Sequence, residues 1–302
     1  MQYSLLKYPR RLSNLGDYIQ SLAARQFLPR VDQFISRERL SEYKGDATKL
    51  ILNGWFSHSP HCWPPAPGII PLFISFHLNA AKAQKFLTPA NIQYLKSWQP
   101  IGCRDFYTAK LLSDHGIESY FSGCLTLTLS SYRCETRADS EILFVDIPSS
   151  ASSRIASHLF NPKSSQSVFD PILINEAKKI THKPSILENY PKASFVRAES
   201  LLRRYSQARA VVTTRIHCVL PCLALGTPVI FINADQRQAK TCRYGGITNL
   251  MNTVNIDSQG LVELSFETSG LISKYNFPPN PSDYLALTSS LADSANKFIS
   301  WY

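Results

Sequence analysis

The segment that most restricts the fold is Ala210-Val211-Val212-Thr213-Thr214, which runs directly into Ile216–Leu225. Gly226 stops that stretch, and Pro228-Val229-Ile230-Phe231-Ile232 follows. A β-branched run, a helix-length apolar stretch, a glycine stop and a second β-branched run read as strand, helix, strand. A crossover of that length joins parallel strands, not a hairpin. The same alternation recurs along the chain. Strands are expected at Gln2–Lys7, Lys49–Gly54, Leu72–His77, Ile101–Asp105, Ile142–Asp146 and Ser194–Val196, with an extended piece at Leu125–Leu129. Helices are expected at Tyr18–Gln26, Gln93–Trp98, Phe106–His115 and Glu199–Gln207. Tyr120 and Phe121 read as the opening of a turn, and Pro281-Ser282-Asp283 is a start signal for a last helix over Leu285–Trp301.

Two such series, separated by the polar stretch Tyr132–Asp139, predict an α/β protein of two Rossmann-like domains facing a cleft, closed by a C-terminal helix. The expected division is 1–135 and 136–302. A chain of 302 residues with 44% hydrophobic and 18% charged residues can bury a core in each half. The net charge of +10 suits an anionic partner. Its basic residues are spread out, however, and form no run of the kind that makes a nucleic-acid arm, so no nucleic acid is expected. Seven cysteines at irregular spacing, with no CxxC, fit neither a disulfide framework nor a zinc finger and point to a reducing cytosol. With no leader and no membrane span expected, the protein is read as cytoplasmic, with peripheral contact at the inner face of the membrane as an option.

The densest chemistry lies in Thr213-Thr214-Arg215-Ile216-His217-Cys218. Arg215 and His217 follow a strand and open a helix, where open α/β sheets bind ligands. An arginine there forks onto a phosphate or carboxylate, and a histidine moves a proton near neutral pH. The alternative is a surface arginine and a packed histidine. Asn14, Gly16 and Asp17 form the matching turn in the first half, with Asp17 read either as a base or as a helix cap. The loop from Trp55 to Pro71 carries Trp55, His58, His61 and Cys62, whose aromatic faces and polar tips suit a sugar ring. A metal site there lacks the second ligand pair of a zinc centre. His77 either lines the cleft or sits in the core. Arg104 either pairs with Asp105 or faces the cleft, and Arg243 stands on a glycine-rich loop. A nicotinamide fingerprint, a P-loop and a GxSxG elbow are all missing.

Taken together, Asn14-Leu15-Gly16-Asp17, Ile101-Gly102-Cys103-Arg104-Asp105 and Thr214-Arg215-Ile216-His217 with Ala224–Ile230 resemble the polysaccharide pyruvyl transferase family. The resemblance implies a GT-B-like fold. It also implies phosphoenolpyruvate as donor and a sugar diol of a polysaccharide or lipid-linked oligosaccharide as acceptor. The products would be a pyruvate ketal and phosphate, and no cofactor is called for. It casts His217 as general acid and Arg215 as donor-anion ligand, with Asp17 as a base. Thr214, Asn14, Gly16 and Arg243 fall on the donor side; Trp55, His58, His77 and Arg104 fall on the acceptor side. Cys218 stands where relatives often carry a small residue. The competing function is a GT-B-like glycosyltransferase using a nucleotide sugar. A non-catalytic sugar- or phosphate-binding protein would not need Arg215 and His217 together.

Overall fold

The computed structural model describes residues 1–9, 14–57, 59–135, 141–147, 159, 167–183, 190–234 and 242–301. Its strands form two six-stranded sheets. The first contains β1 (Gln2–Lys7), β2 (Gln33–Ser36), β3 (Thr48–Trp55), β4 (Ile69–His77), β5 (Ile101–Cys103) and β6 (Ser119–Phe121), in the order β2-β1-β3-β4-β5-β6. All of its pairs are parallel. The second contains β7 (Ile142–Val145), β8 (Lys178–Ile180), β9 (Ala210–Thr213), β10 (Val229–Asn233), β11 (Asn252–Ile256) and β12 (Val262–Leu264), in the order β8-β7-β9-β10-β11-β12. Only the β11–β12 pair is antiparallel.

Both sheets therefore follow one plan. Each starts on an inner strand, steps outward for its second strand, then returns past the first for the rest. The direction of winding reverses between β1 and β3 and again between β7 and β9, and such switch points open a crevice at the carboxyl ends of the strands.

The helices are α1 (Leu15–Arg25), α2 (Ala83–Phe86), α3 (Pro89–Ser97), α4 (Phe106–Asp114), α5 (Pro171–Glu176), α6 (Pro191–Gln207), α7 (Ile216–Leu225) and α8 (Tyr284–Ser300). The α7 side chains are apolar almost all round and nearly all buried, the pattern of a helix enclosed by protein. It packs on α1 of the first domain and on the 3-10 segment Leu125–Tyr132, while α1 packs on α6, with Tyr18 edge-on to Phe195 at 5.0 Å. One core thus runs through both domains. A second cluster covers the far face of the second sheet, taking alternate residues such as Ile142, Phe144, Val212, Ile230 and Ile232. The glycine stop after α7 forms as expected: Gly226 has φ +69°, and its N–H bonds to Leu223 O at 2.9 Å.

The terminal helix α8 starts beside the second domain but packs against the first, covering β4 and the 3-10 segment. Buried Lys49 on β3 donates to the last carbonyls of α8: Phe298 O at 2.9 Å, Ile299 O at 3.0 Å, and Trp301 O. A cation at a helix C-terminus satisfies both the orphan carbonyls and the dipole. Lys49→Met should therefore cost about 2 kcal/mol, the scale of charge-assisted hydrogen bonds. The variant should melt lower and lose hydrogen-exchange protection selectively in the last turns of α8; unchanged protection there would contradict the role given to Lys49.

Three expected elements differ. Ser194–Val196, read as a strand, lies inside α6. Pro191 opens that helix, and its buried positions Ser194, Ala198, Leu201, Leu202 and Tyr205 follow helical spacing. Leu125–Leu129, read as extended, is a 3-10 turn. Leucines and threonines are buried alike there, between α7 and α8, so the alternation does not mark two faces of a sheet. Tyr120 and Phe121 belong to edge strand β6, paired with β5. The expected division at 135/136 abuts residues 136–140, which lie outside the described residues, as does His58.

Candidate active site

The turns that follow the inner strands of both sheets meet in one cleft of about 200 Å³. Asn14, Gly16, Asp17 and Gln20 come from the turn after β1 and the start of α1; Trp55 ends β3, and Arg104 follows β5. From the second domain come His182 after β8, Thr214, Arg215, Ile216 and His217 after β9, and Arg243 after β10. The facing walls touch: Leu15 N donates to His182 O at 3.3 Å, and Phe106 N to Gly245 O at 3.1 Å.

The β9 turn shows why its sequence is needed. Thr213 Oγ1 donates to Val145 O at 3.1 Å and accepts from Arg215 N at 3.0 Å. Thr214 Oγ1 donates to Asp146 O, also at 3.1 Å. The two threonines thus lash the end of β9 to the end of β7. Arg215 Nε then donates to Asp146 Oδ2 at 2.7 Å, leaving the rest of its fork to the cleft. Asp146 also accepts from Thr181 Oγ1 and His182 N. It was legible only as the last residue of a strand, because its partners come from two other turns, after β8 and after β9.

His217 departs from helical geometry inside α7, at φ −83° and ψ 20°. Pro221 explains this. It lies four residues on, lacks the N–H that would bond His217 O, and its ring crowds that carbonyl. The bend sits in the first turn, where Cys218 N and Val219 N both bond to Arg215 O. Gly16 gives the ring room: a β-carbon there would stand 3.1 Å from both Cβ and Nδ1 of His217. A side chain there would have to push the imidazole back by a few tenths of an ångström.

Asp17 is not the helix cap. Asn14 caps α1, accepting from Gly16 N at 3.1 Å, which leaves the Asp17 carboxylate to Gln20 Nε2 at 3.2 Å and to the buried Arg37 Nη1 at 3.6 Å. Burial raises the Asp17 carboxyl above its ordinary range, while Arg37 and Arg104 pull it back.

The Arg104–Asp105 pair is loose, with Nε 4.0 Å from Oδ2, and Arg104 also lines the cleft, so both readings of it hold in part. Asp105 instead caps α4 through Thr108 N at 2.8 Å and accepts from His77 Nδ1 at 2.6 Å. His77, expected among the acceptor ligands, is buried to 1% exposure and does not line the cleft. It lies one layer beneath, with the Trp55 ring edge-on at 6.1 Å. Arg243 lies over the Tyr244 ring at 4.6 Å in a 3-10 turn and lines the cleft. His182 and Gln20, both on the cleft wall, were missed; neither sits in a motif, and only folding brings them there.

Four buried side-chain atoms on the cleft wall have no hydrogen-bond partner among the described residues: Arg104 Nε, Arg243 Nε, His217 Nε2 and Gln20 Oε1. Buried polar groups are normally satisfied, so these orphans, two from each domain and facing the same cleft, mark a place for a ligand. The cations outnumber the single cleft-lining carboxylate, so the ligand they fit is an anion.

Burial, reinforced by Arg104, holds the His77 ring down to about 4, and burial with Arg104, His182 and Arg243 holds His217 well below its ordinary value. Both are neutral at pH 7. A depressed imidazole binds fewer protons folded than unfolded, so its stability contribution is complete above pH 6.5 and is lost as pH falls towards 4. For His77 that amounts to about 3 kcal/mol. The raised Asp17 carboxyl opposes the trend only by taking up a proton in acid. The melting temperature should drop between pH 6.5 and 4.5, and His77→Gln should flatten part of that drop. A level profile would mean that the buried rings are already charged.

The fold and site define a two-domain α/β protein with a cationic, imidazole-bearing cleft at the switch points of two mostly parallel sheets. The sequence matches the polysaccharide pyruvyl transferase family over residues 14–236. The chain belongs to that family and is a transferase acting on polysaccharides. No curated protein matches it in sequence. Among solved structures it is similar to a functionally uncharacterised protein of Klebsiella pneumoniae, with 12% identity, 82% of this chain and 88% of that chain covered, and a TM-score of 0.44. It is also similar to KpsC, the β-Kdo 2,7 transferase of Thermosulfurimonas dismutans, with 14% identity, coverage of 76% and 78%, and a TM-score of 0.19.

Proposed function

We propose that the enzyme transfers the pyruvyl group of phosphoenolpyruvate to two hydroxyls of one sugar, in a polysaccharide or lipid-linked oligosaccharide. The products are a pyruvate ketal and phosphate. The observation that carries this reading is the set of orphaned donors on Arg104, Arg243 and His217 around a cleft that Arg215 also lines. A small donor bearing both a phosphate and a carboxylate satisfies several such groups at once, and positioned cations stabilise the charge that moves during transfer. Arg215, Arg243 and Arg104 hold the donor, with Thr214, Asn14 and Gly16 shaping its seat. We place Arg104 with the donor rather than the acceptor because its Nε has no hydrogen-bond partner, with Asp105 Oδ2 no nearer than 4.0 Å.

His217 protonates the donor's methylene carbon, and Asp17 on the opposite wall takes the proton of the attacking hydroxyl. A neutral imidazole is a poor acid. The donor's own negative charges, brought against Nε2, raise the ring's proton affinity when it is needed. Trp55 offers its ring face to the acceptor sugar. Residues 136–302 supply most of the donor side and residues 1–135 the acceptor side, with Asn14, Gly16 and Arg104 reaching across to the donor. No helix among the described residues is long and apolar enough to cross a membrane. The basic surface would let the enzyme meet a lipid-linked acceptor at an anionic bilayer in the cytoplasm.

The test is incubation with phosphoenolpyruvate and a panel of β-galactosides and lipid-linked glycans. Phosphate release matched by one ketal-linked pyruvate per glycan is expected. Consumption of a nucleotide sugar with phosphoenolpyruvate untouched would replace this reading with glycosyl transfer.

A further inference from the structure

Ketal formation, on the reading above, needs more proton handling than His217 accounts for. Two sugar hydroxyls lose their protons. One proton must reach the donor methylene, which becomes a methyl group, and one must leave on the phosphate. His217 serves the first transfer only.

His182 is a second imidazole on the cleft wall, and it is fixed from every side. It is 2% exposed. Its N–H bonds to Asp146 Oδ2 at 3.2 Å, the same oxygen that holds Arg215, and its carbonyl accepts from Leu15 N across the domain joint. Its Nε2 meets Tyr205 Oη at 2.6 Å, with the two rings nearly coplanar at 18°. The Tyr205 hydroxyl in turn reaches Cys218, the residue after His217. Burial keeps the Tyr205 phenol far above its ordinary value, so it remains a hydroxyl. We take the pair as Tyr205 Oη accepting from His182 Nε2–H and turning its own hydrogen to Cys218 Sγ, which His182 also bonds. This direction of bonding keeps a proton on Nε2 and leaves Nδ1 as the atom that gains and loses one. The charged groups around the ring are Asp146 after β7, Tyr205 on α6, Arg215, His217 and Cys218 at the start of α7, and Asp17 on α1.

We propose that His182 is the second proton carrier of the site, acting on the departing phosphate. After the first hydroxyl has added to C2, the imidazolium gives its Nδ1 proton to the bridging oxygen as the C2–O bond breaks. The electron pair of that bond leaves with the hydrogen phosphate, and a lone pair on the sugar oxygen already attached forms the oxocarbenium ion. The second hydroxyl then adds to C2, and its proton returns to the neutral Nδ1. Tyr205 is a positioning residue that sets the tautomer.

The experiment runs wild type, His182→Gln and Tyr205→Phe in D₂O with phosphoenolpyruvate and an accepted glycan. It follows phosphate release together with deuterium in the recovered donor. His182→Gln should release phosphate at least tenfold more slowly while the phospho-ketal reverts, so deuterium enters the donor methylene and the ratio of exchange to release rises tenfold or more. Tyr205→Phe should shift the pH profile of phosphate release with the KM for the donor unchanged. Near-normal release by His182→Gln, or equal loss of exchange and release, would overturn the proposal. If that variant does not fold, an unshifted pH profile in Tyr205→Phe overturns it instead. Wild-type enzyme that neither exchanges nor releases phosphate would instead overturn the donor assignment on which this inference rests.

Discussion

Replacing His217 by alanine should lower turnover by about 10²–10⁴-fold, the usual share of a positioned acid or base. The loss should come with little change in melting temperature. His217 Nε2 has no hydrogen-bond partner among the described residues, so the substitution breaks no bond at that atom. The space left behind abuts Gly16, whose backbone can relax into it. The pH dependence should be diagnostic. In the free enzyme the ring is held well below its ordinary value by burial and by Arg104, His182, Arg243 and His77. The parameter kcat/KM reports the free enzyme, so it should decline with rising pH from below 6.5, where the protonated ring is lost. In the complex, the donor's anions favour the imidazolium, so kcat should hold to a higher pH. Coincident profiles, or near-normal turnover in the alanine variant, would remove His217 from the chemistry.

Arg215→Lys should reduce kcat/KM by about 10- to 100-fold, the equivalent of roughly 1.5–3 kcal/mol for a lost charge-assisted hydrogen bond. The reason is geometric. Arg215 spends Nε on Asp146 and keeps the remainder of its fork for the cleft. A lysine is a point charge on a flexible stem and cannot do both. Asp146→Ala should act in the same direction although Asp146 touches no donor, because it frees Arg215 and unties Thr181 and His182 together. Donor affinity read from Trp55 fluorescence in the cleft would check both variants. An unchanged affinity in Arg215→Lys would mean that the guanidinium serves only Asp146.

Much of this was legible before folding, because it is local. Val211–Thr214 can only be a buried strand, and Gly226 can only end the helix after it; together they place Arg215 and His217 at a strand-to-helix turn. Asn14–Asp17 reads as a turn for the same reason, although which of its polar residues caps α1 was not settled until Asn14 was seen to bond Gly16 N. The misreadings have one cause. Alternation in Leu125–Leu129 and the short apolar run at Ser194–Val196 are compatible with strand, but each segment is enclosed on sides that local pattern does not encode.

By itself, then, the sequence determined the parallel α/β architecture, the net basic charge that suits an anionic partner, and the turns on which Arg215, His217, Asn14, Gly16 and Asp17 stand. Short-range spacing and backbone preference suffice for each. Only the tertiary structure decided that Arg104 and Arg243 complete the cleft, that His77 lies beneath it, and that His182, Tyr205 and Asp146 belong to it. Those placements depend on two sheets meeting at their switch points, and on buried polar atoms finding or lacking partners far away in the chain.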